Sequence, residues 1–240
     1  MRRTAIALSS LILLNLLVML PVSATTPEDI VVDGDLSEWA VDTLMGSEGA
    51  VSLHMTWNQT HLAFAWDGTD LAASDGADLF FYLNTSEGGS PLSKNWNLAQ
   101  TLPFSADYAF VVEDSSYESV IVFNDTEWID GDQSDISIYA GHSTNKVTEF
   151  SIPWSSLGDP TSFDIVAWGQ WQTKGNVWAS FPTDNPASAN GAETFTEYWH
   201  IDDRNVSVAP NTLTGQTNED GVEKLSNALN LALVFHQHQP

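Results

Sequence analysis

The sequence predicts an all-β fold, an antiparallel β-sandwich of immunoglobulin-like or jelly-roll-like type, and three observations predict it. Apolar and polar residues alternate in short runs, the period of a half-buried strand. Clusters of Gly, Asn, Asp, Ser and Pro, as at 84–91 and 182–191, separate those runs. Helical periodicity is almost absent. Of the 240 residues 42% are hydrophobic and 11% aromatic, enough to build a packed core rather than a disordered chain. There is no cysteine, which excludes disulfides, thiolate metal sites and a cysteine nucleophile, so the fold rests on packing.

The elements follow in order. Arg2 and Arg3 precede an apolar run over 5–20, Pro21 breaks it, and Val22, Ser23 and Ala24 are small residues that a signal peptidase reads. Residues 1–24 are therefore read as a secretory signal peptide, the competing reading being an uncleaved membrane anchor. The sandwich domain is expected over 25–205. Within it Val51, Leu53, Met55 and Trp57 alternate with polar residues, Asn58, Gln59 and Thr60 make a turn, and Leu62, Phe64 and Trp66 resume the alternation, the pattern of a hairpin. Further strands are expected over 78–83, 107–113, 119–123, 136–139, 147–152, 163–171, 177–181 and 197–201. Residues 153–158 read as a strand leaving into one helical turn that ends at Gly158. Residues 206–229 read as a polar linker with a short helix. Residues 230–240 read as the cut-off first strand of another domain, because the apolar run Leu231 to Phe235 leads straight into His236, Gln237, His238, Gln239 and Pro240.

Charge narrows the class of partner. Seven Lys and Arg face 32 Asp and Glu, a formal net of −25. A nucleic-acid binder needs a basic footprint to neutralise phosphates, and docking on anionic lipid needs Lys and Arg. Neither nucleic acid nor, once residues 1–24 are removed, a membrane is an expected partner. Asn-x-Ser/Thr triplets at Asn58, Asn84, Asn124 and Asn205 are compatible with export and glycan attachment.

Two groups of residues bear on chemistry. Asp130, Asp132 and Asp135 occupy positions 1, 3 and 6 of a loop turning on Gly131, a spacing that lets one loop wrap a hard cation such as calcium. The glutamate that an EF-hand requires six residues further on is missing. Asp33, Asp35 and Glu38, and Asp67, Asp70, Asp75 and Asp78, form further oxygen-rich turns, which turn-making alone also explains. No pair among the 32 carboxylates is distinguished as catalytic, and none is assigned. The ten tryptophans are the second group, since an indole is the widest flat surface for stacking on the apolar face of a sugar ring. Trp57, Trp66, Trp168 and Tyr82 alternate into the core, and Trp39 and Trp154 read as packing residues. Trp96 lies in the polar loop 93–97, while Trp171 and Trp178 flank the turn 172–176, with Gln170, Gln172 and Asn176 close enough to bond hydroxyls. Trp96, Trp171, Trp178 and Gln172 are the candidate carbohydrate-binding residues, each weighed against a place in a tryptophan-rich core.

Three stretches, VDGDLSEW at 32–39, ADLFFYL at 77–83 and TEFSIPWSSLG at 148–158, resemble the family 9 carbohydrate-binding modules and the related sandwich domain of glucodextranases. The run 231–240 is similar to the opening of family 57 glycoside hydrolases, which begin a (β/α) barrel with an apolar strand carrying a His-Gln-Pro signature, here His238, Gln239 and Pro240. The first resemblance implies polysaccharide binding by aromatic stacking, and structural calcium. The second implies an extracellular α-glucan-active hydrolase, amylase- or pullulanase-like, with its catalytic domain in cis. That family retains anomeric configuration through two carboxylates, which would lie beyond Pro240, so the chain as given is not expected to be the working enzyme. His236 and His238 would line the substrate site of the barrel. Two rival expectations stand beside this one: a non-binding spacer or cell-surface attachment domain, and a redox sandwich holding haem through His54, Met55 and His142.

Overall fold

The computed structural model describes residues 30–72, 76–114, 117–141, 144–188 and 191–218. The expected signal peptide, the short helix after the linker and the barrel strand with His236 and His238 lie outside the described residues, as do Asp75 and His142. Among the described residues the fold is all-β, 47% strand with no helix of seven or more residues.

The described residues form fifteen strands: β1 (Leu44–Glu48), β2 (Val51–Trp57), β3 (His61–Asp67), β4 (Ala77–Asn84), β5 (Ser90–Leu92), β6 (Thr101–Ala106), β7 (Tyr108–Asp114), β8 (Tyr117–Phe123), β9 (Trp128–Asp130), β10 (Ser137–Tyr139), β11 (Thr148–Pro153), β12 (Phe163–Trp171), β13 (Val177–Phe181), β14 (Glu197–Ile201) and β15 (Gln216–Thr217). They build two antiparallel sheets. The smaller runs β1-β2-β3-β11-β10, and the larger runs β15-β14-β12-β4-β7-β8-β9, with β13 also paired to β12. A separate β5–β6 hairpin lies against the larger sheet.

Strand alternation explains the layers. On β4 and β12 the odd-numbered residues Leu79, Phe81, Leu83, Phe163, Ile165 and Ala167 point between the sheets, where they meet Leu53, Met55, Phe64, Trp66 and Phe150. The even-numbered Phe80, Tyr82, Val166 and Trp168 point the other way, into a second apolar layer closed by Leu102 and Phe104 of β6 and by Phe195. Trp168 is the centre of that layer. It stacks on Phe80 at 5.3 Å and 15° and on Tyr82 at 4.9 Å and 12°. Because both faces of β4 are covered, its sequence is a continuous apolar run rather than a clean alternation. Each buried Leu, Phe or Trp contributes about 1.5–3 kcal/mol of transfer free energy, so the two layers account for most of the driving force.

A third cover lies on the outer face of the smaller sheet. Residues 30–39 cross it as a strap, Ile30 and Trp39 sitting over Ala63 and Ala65 of β3. The two alanines, where larger side chains would stand proud, leave room for the strap.

Strands β12, β13 and β14 fall where the sequence places them, and β2, β3, β4, β7, β8, β10 and β11 within two residues. Strands β1, β5, β6, β9 and β15 are additional. β6 contains Pro103, which argues against a strand from sequence, and β1 (LMGSE) has no alternation to read. The described part of the expected linker, residues 206–218, bonds back to the sandwich. Pro210 is buried, the Asn218 amide donates to the Thr196 carbonyl at 2.7 Å, and Asn218 Nδ2 donates to the Pro103 carbonyl at 2.8 Å. The sandwich therefore holds the chain as far as residue 218.

Candidate functional site

The β12–β13 turn is built by short-range bonds. The Trp171 amide donates to the Asn176 carbonyl at 3.0 Å, and the Gly175 amide donates to the Trp171 carbonyl at 2.7 Å. Beyond the turn the register slips. Gly169 pairs with Ala179 and Gln170 with Val177, so Trp178 is the extra residue of a β-bulge. The bulge turns Trp178 inward over Gly169, where a Cβ would overlap the indole. Trp66 of the central core braces Trp178 edge-on, 5.7 Å between centroids at 86°. Trp171 lies against the other side of Trp178 at 5.8 Å and 43°, with 39% of its surface exposed. Trp178 Nε1 is buried and donates to no group among the described residues.

The other candidates take different places. Trp96 is half-buried against the second apolar layer, with Lys94 Nζ 4.5 Å from its ring centroid. Its carbonyl accepts from Gln170 Nε2 at 3.0 Å. Gln170 is buried, and its Oε1 accepts from Trp168 Nε1 at 3.2 Å and from Gln100 Nε2 at 3.1 Å. Gln170 and the equally buried Asn176 are thus scaffold, not free hydroxyl partners. Gln172 is engaged at both ends, its Nε2 donating to Glu113 Oε1 and its carbonyl accepting from Asn97 Nδ2. The structure therefore brings Trp171 and Trp178 together, places Gln172 beside them as a brace, and puts Trp96 in the layer on the opposite face of β12.

The expected calcium loop does not gather its oxygens. Asp130 ends β9, and Asp132 Oδ1 accepts the Ser134 amide at 2.9 Å, a bond that holds its carboxyl below the ordinary range. Among the described residues no group of three or more His, Asp or Glu side chains is placed to hold a metal.

The acidic turn at 33–38 has a structural use that sequence reading missed. Glu149 of β11 is fully buried. Its Oε2 accepts the Gly34 amide at 2.6 Å and the Asp33 amide at 3.0 Å, and its Oε1 accepts Trp39 Nε1 at 2.6 Å. Burial pushes its carboxyl above the ordinary value, the three donors pull it back, and the charge of Glu38 adds to the rise. Asp35 Oδ1 caps the Ser37 amide and Glu38 Oε1 accepts the Val31 amide, so these acids close their own turn. The available signal was that the 32–39 and 148–158 stretches carry the same resemblance, which hinted at a shared purpose but not at contact. His54 and Met55 cannot serve as the two ligands of one haem, and His142 lies outside the described residues. His54 and Met55 are consecutive on β2 and point to opposite faces, Met55 into the core and His54 towards Trp39 and Thr43 Oγ1.

No family model matches the chain, and no curated protein or solved structure matches it either.

Proposed function

We propose that this domain is a carbohydrate-binding module that holds polysaccharide by aromatic stacking on Trp171 and Trp178, in an exported α-glucan-active hydrolase whose catalytic domain follows in cis. One observation carries the reading. An exposed indole, Trp171, is backed by a second indole that a β-bulge aims and a third, Trp66, braces from the core. A large apolar ring kept at the surface on a rigid mount is the arrangement that a pyranose face requires. The resemblance of 231–240 to family 57 hydrolases supports the α-glucan assignment. Binding is non-covalent, and its benefit to the hydrolase is the raised local substrate concentration that tethering provides.

Affinity electrophoresis of the chain through gels containing starch, pullulan or a soluble cellulose derivative tests the reading. Retardation is expected on the α-glucans. Trp171→Ala should weaken it roughly tenfold, the equivalent of losing about 1.4 kcal/mol of stacking. A folded chain that migrates unretarded in every gel refutes the proposal and leaves the spacer reading in its place.

A further inference from the structure

The register of the larger sheet builds a row of polar side chains at the far end of β12. Asp164 lies opposite Asn84 of β4 and His200 of β14, so all three stand on the outer face. Asp164 Oδ2 accepts from Asn84 Nδ2 at 2.9 Å, and Asp164 Oδ1 bonds His200 Nδ1 at 2.6 Å. Asp202 Oδ1 holds the other ring nitrogen at 2.8 Å. Beside the row stands Tyr198, braced edge-on by Phe104 at 5.5 Å and 71°. Asn84, Asp164, His200, Tyr198 and Phe104 line a cleft of about 470 Å³ together with Glu87.

We infer that this cleft is a second saccharide-binding site, one that takes an uncharged sugar chain. The inference rests on the reading above and narrows its glycan class. Tyr198 and Phe104 offer an aromatic wall to a ring face, and the Asn84–Asp164–His200 row offers polar atoms to hydroxyls. Those atoms are fixed by their mutual bonds, so a ligand does not have to order them. The volume lies within the range of small-ligand sites. Charge does the selecting. Asp164 and Glu87 line the cleft and no Lys or Arg among the described residues does, which repels uronates, sulfates and phosphates. His200 is already held between two carboxylates and is not open to an anion.

The two sites are separate. Asp164 and Trp171 stand near opposite ends of β12 and, by strand alternation, on opposite faces. They are roughly 23 Å apart along the strand at about 3.3 Å per residue. A single sugar ring cannot touch both, and the module engages two glycan segments independently.

An NMR titration of the chain with maltoheptaose tests this, following the His200 ring C–H signals and the tryptophan indole N–H signals. In Trp171→Ala the His200 signals should still shift and saturate. In Tyr198→Ala they should lose the shift, while the tryptophan response stays within twofold of the unsubstituted chain. Should Tyr198→Ala not fold, Asp164→Asn serves, with the same expectation. Oligogalacturonate should leave His200 unmoved. A tryptophan response with a silent His200 overturns the second site and leaves the proposed function standing. A His200 response without any tryptophan response in the unsubstituted chain overturns the tryptophan platform and upholds the cleft. Silence at both overturns both, and an equal response of His200 to oligogalacturonate overturns the neutral-sugar assignment.

Discussion

Glu149 and Trp171 bear on different free energies, although each is a single side chain with aromatic company. Glu149 has no exposed surface and takes three hydrogen bonds from the strap. Glu149→Ala strands the Asp33 and Gly34 amides and the Trp39 indole N–H. At about 1–3 kcal/mol per unsatisfied buried group, the chain should lose roughly 3 kcal/mol or more, read as a lower urea midpoint. Glu149→Gln keeps the shape but turns an N–H towards one donor, and should cost about 1–3 kcal/mol. Gly34 stands beside it at φ +85°, where a Cβ would strike the Tyr139 ring and the Asn145 amide, so no side chain is tolerated in that turn. Trp171→Ala leaves these contacts untouched. It should alter glycan retention and hardly move the urea midpoint.

At the scale of the element, the β-bulge in β13 is what makes the tryptophan pair. Gly169→Ala should push Trp178 off its floor and spread the Trp171–Trp178 contact. Glucan retention should fall about as far as in Trp171→Ala, with near-ultraviolet circular dichroism reporting the moved indoles and far-ultraviolet signal unchanged. A retained glucan affinity in a folded Gly169→Ala chain would show that Trp178 needs no fixed mount. The alternation that predicts β2 and β3 was readable because the large residues Leu53, Met55, Trp57, Leu62, Phe64 and Trp66 recur at period two between small or polar ones. The bulge was not, since nothing in VWASF marks which residue is extra. Strands β1, β5, β9 and β15 were not readable either, because they are edge or hairpin segments that carry little apolar sequence. Trp171 was correctly placed at a turn, but whether Trp96 would be exposed depended on a second apolar layer that only the β5–β6 hairpin creates. Gln170 was misplaced for the same reason: a polar residue near a turn looks free until its partners from 70 residues away are in position.

Titration behaviour belongs to the whole molecule, because it sums shifts of both signs: burial lowers His54, whose contribution grows as pH rises towards about 6.5 and opposes the others there. Burial pushes the carboxyls of Glu149, Asp107 and Glu118 above their ordinary values, against hydrogen bonds in the first two. Burial of the His200 ring opposes its charge, but the bonds and charges of Asp164 and Asp202 outweigh it and raise that group as well. A native pKa above the unfolded one gives stability that is complete below the unfolded pKa and lost as pH rises through the native one. For the three carboxyls this loss begins above about 4–5, and for His200 above about 6.5. Self-repulsion of a chain with a net charge of −25 grows in the same direction. The three carboxyls, His200 and self-repulsion together outnumber His54, so the urea midpoint should be lower at pH 8 than at pH 5, and added salt should recover part of the difference. Asp132 and Asp203, lowered by exposed turn bonds, lose their contribution only below about pH 4. A midpoint that climbs from pH 5 to 8 would contradict this assignment. The strap has a consequence in time. Its bonds to Glu149 join residues 110 to 116 positions apart, so a chain emerging from the ribosome at about 5–20 residues per second makes its latch roughly 6–23 s after the strap itself is made. Until Glu149 is made, the strap over Ala63 and Ala65 has none of these three bonds.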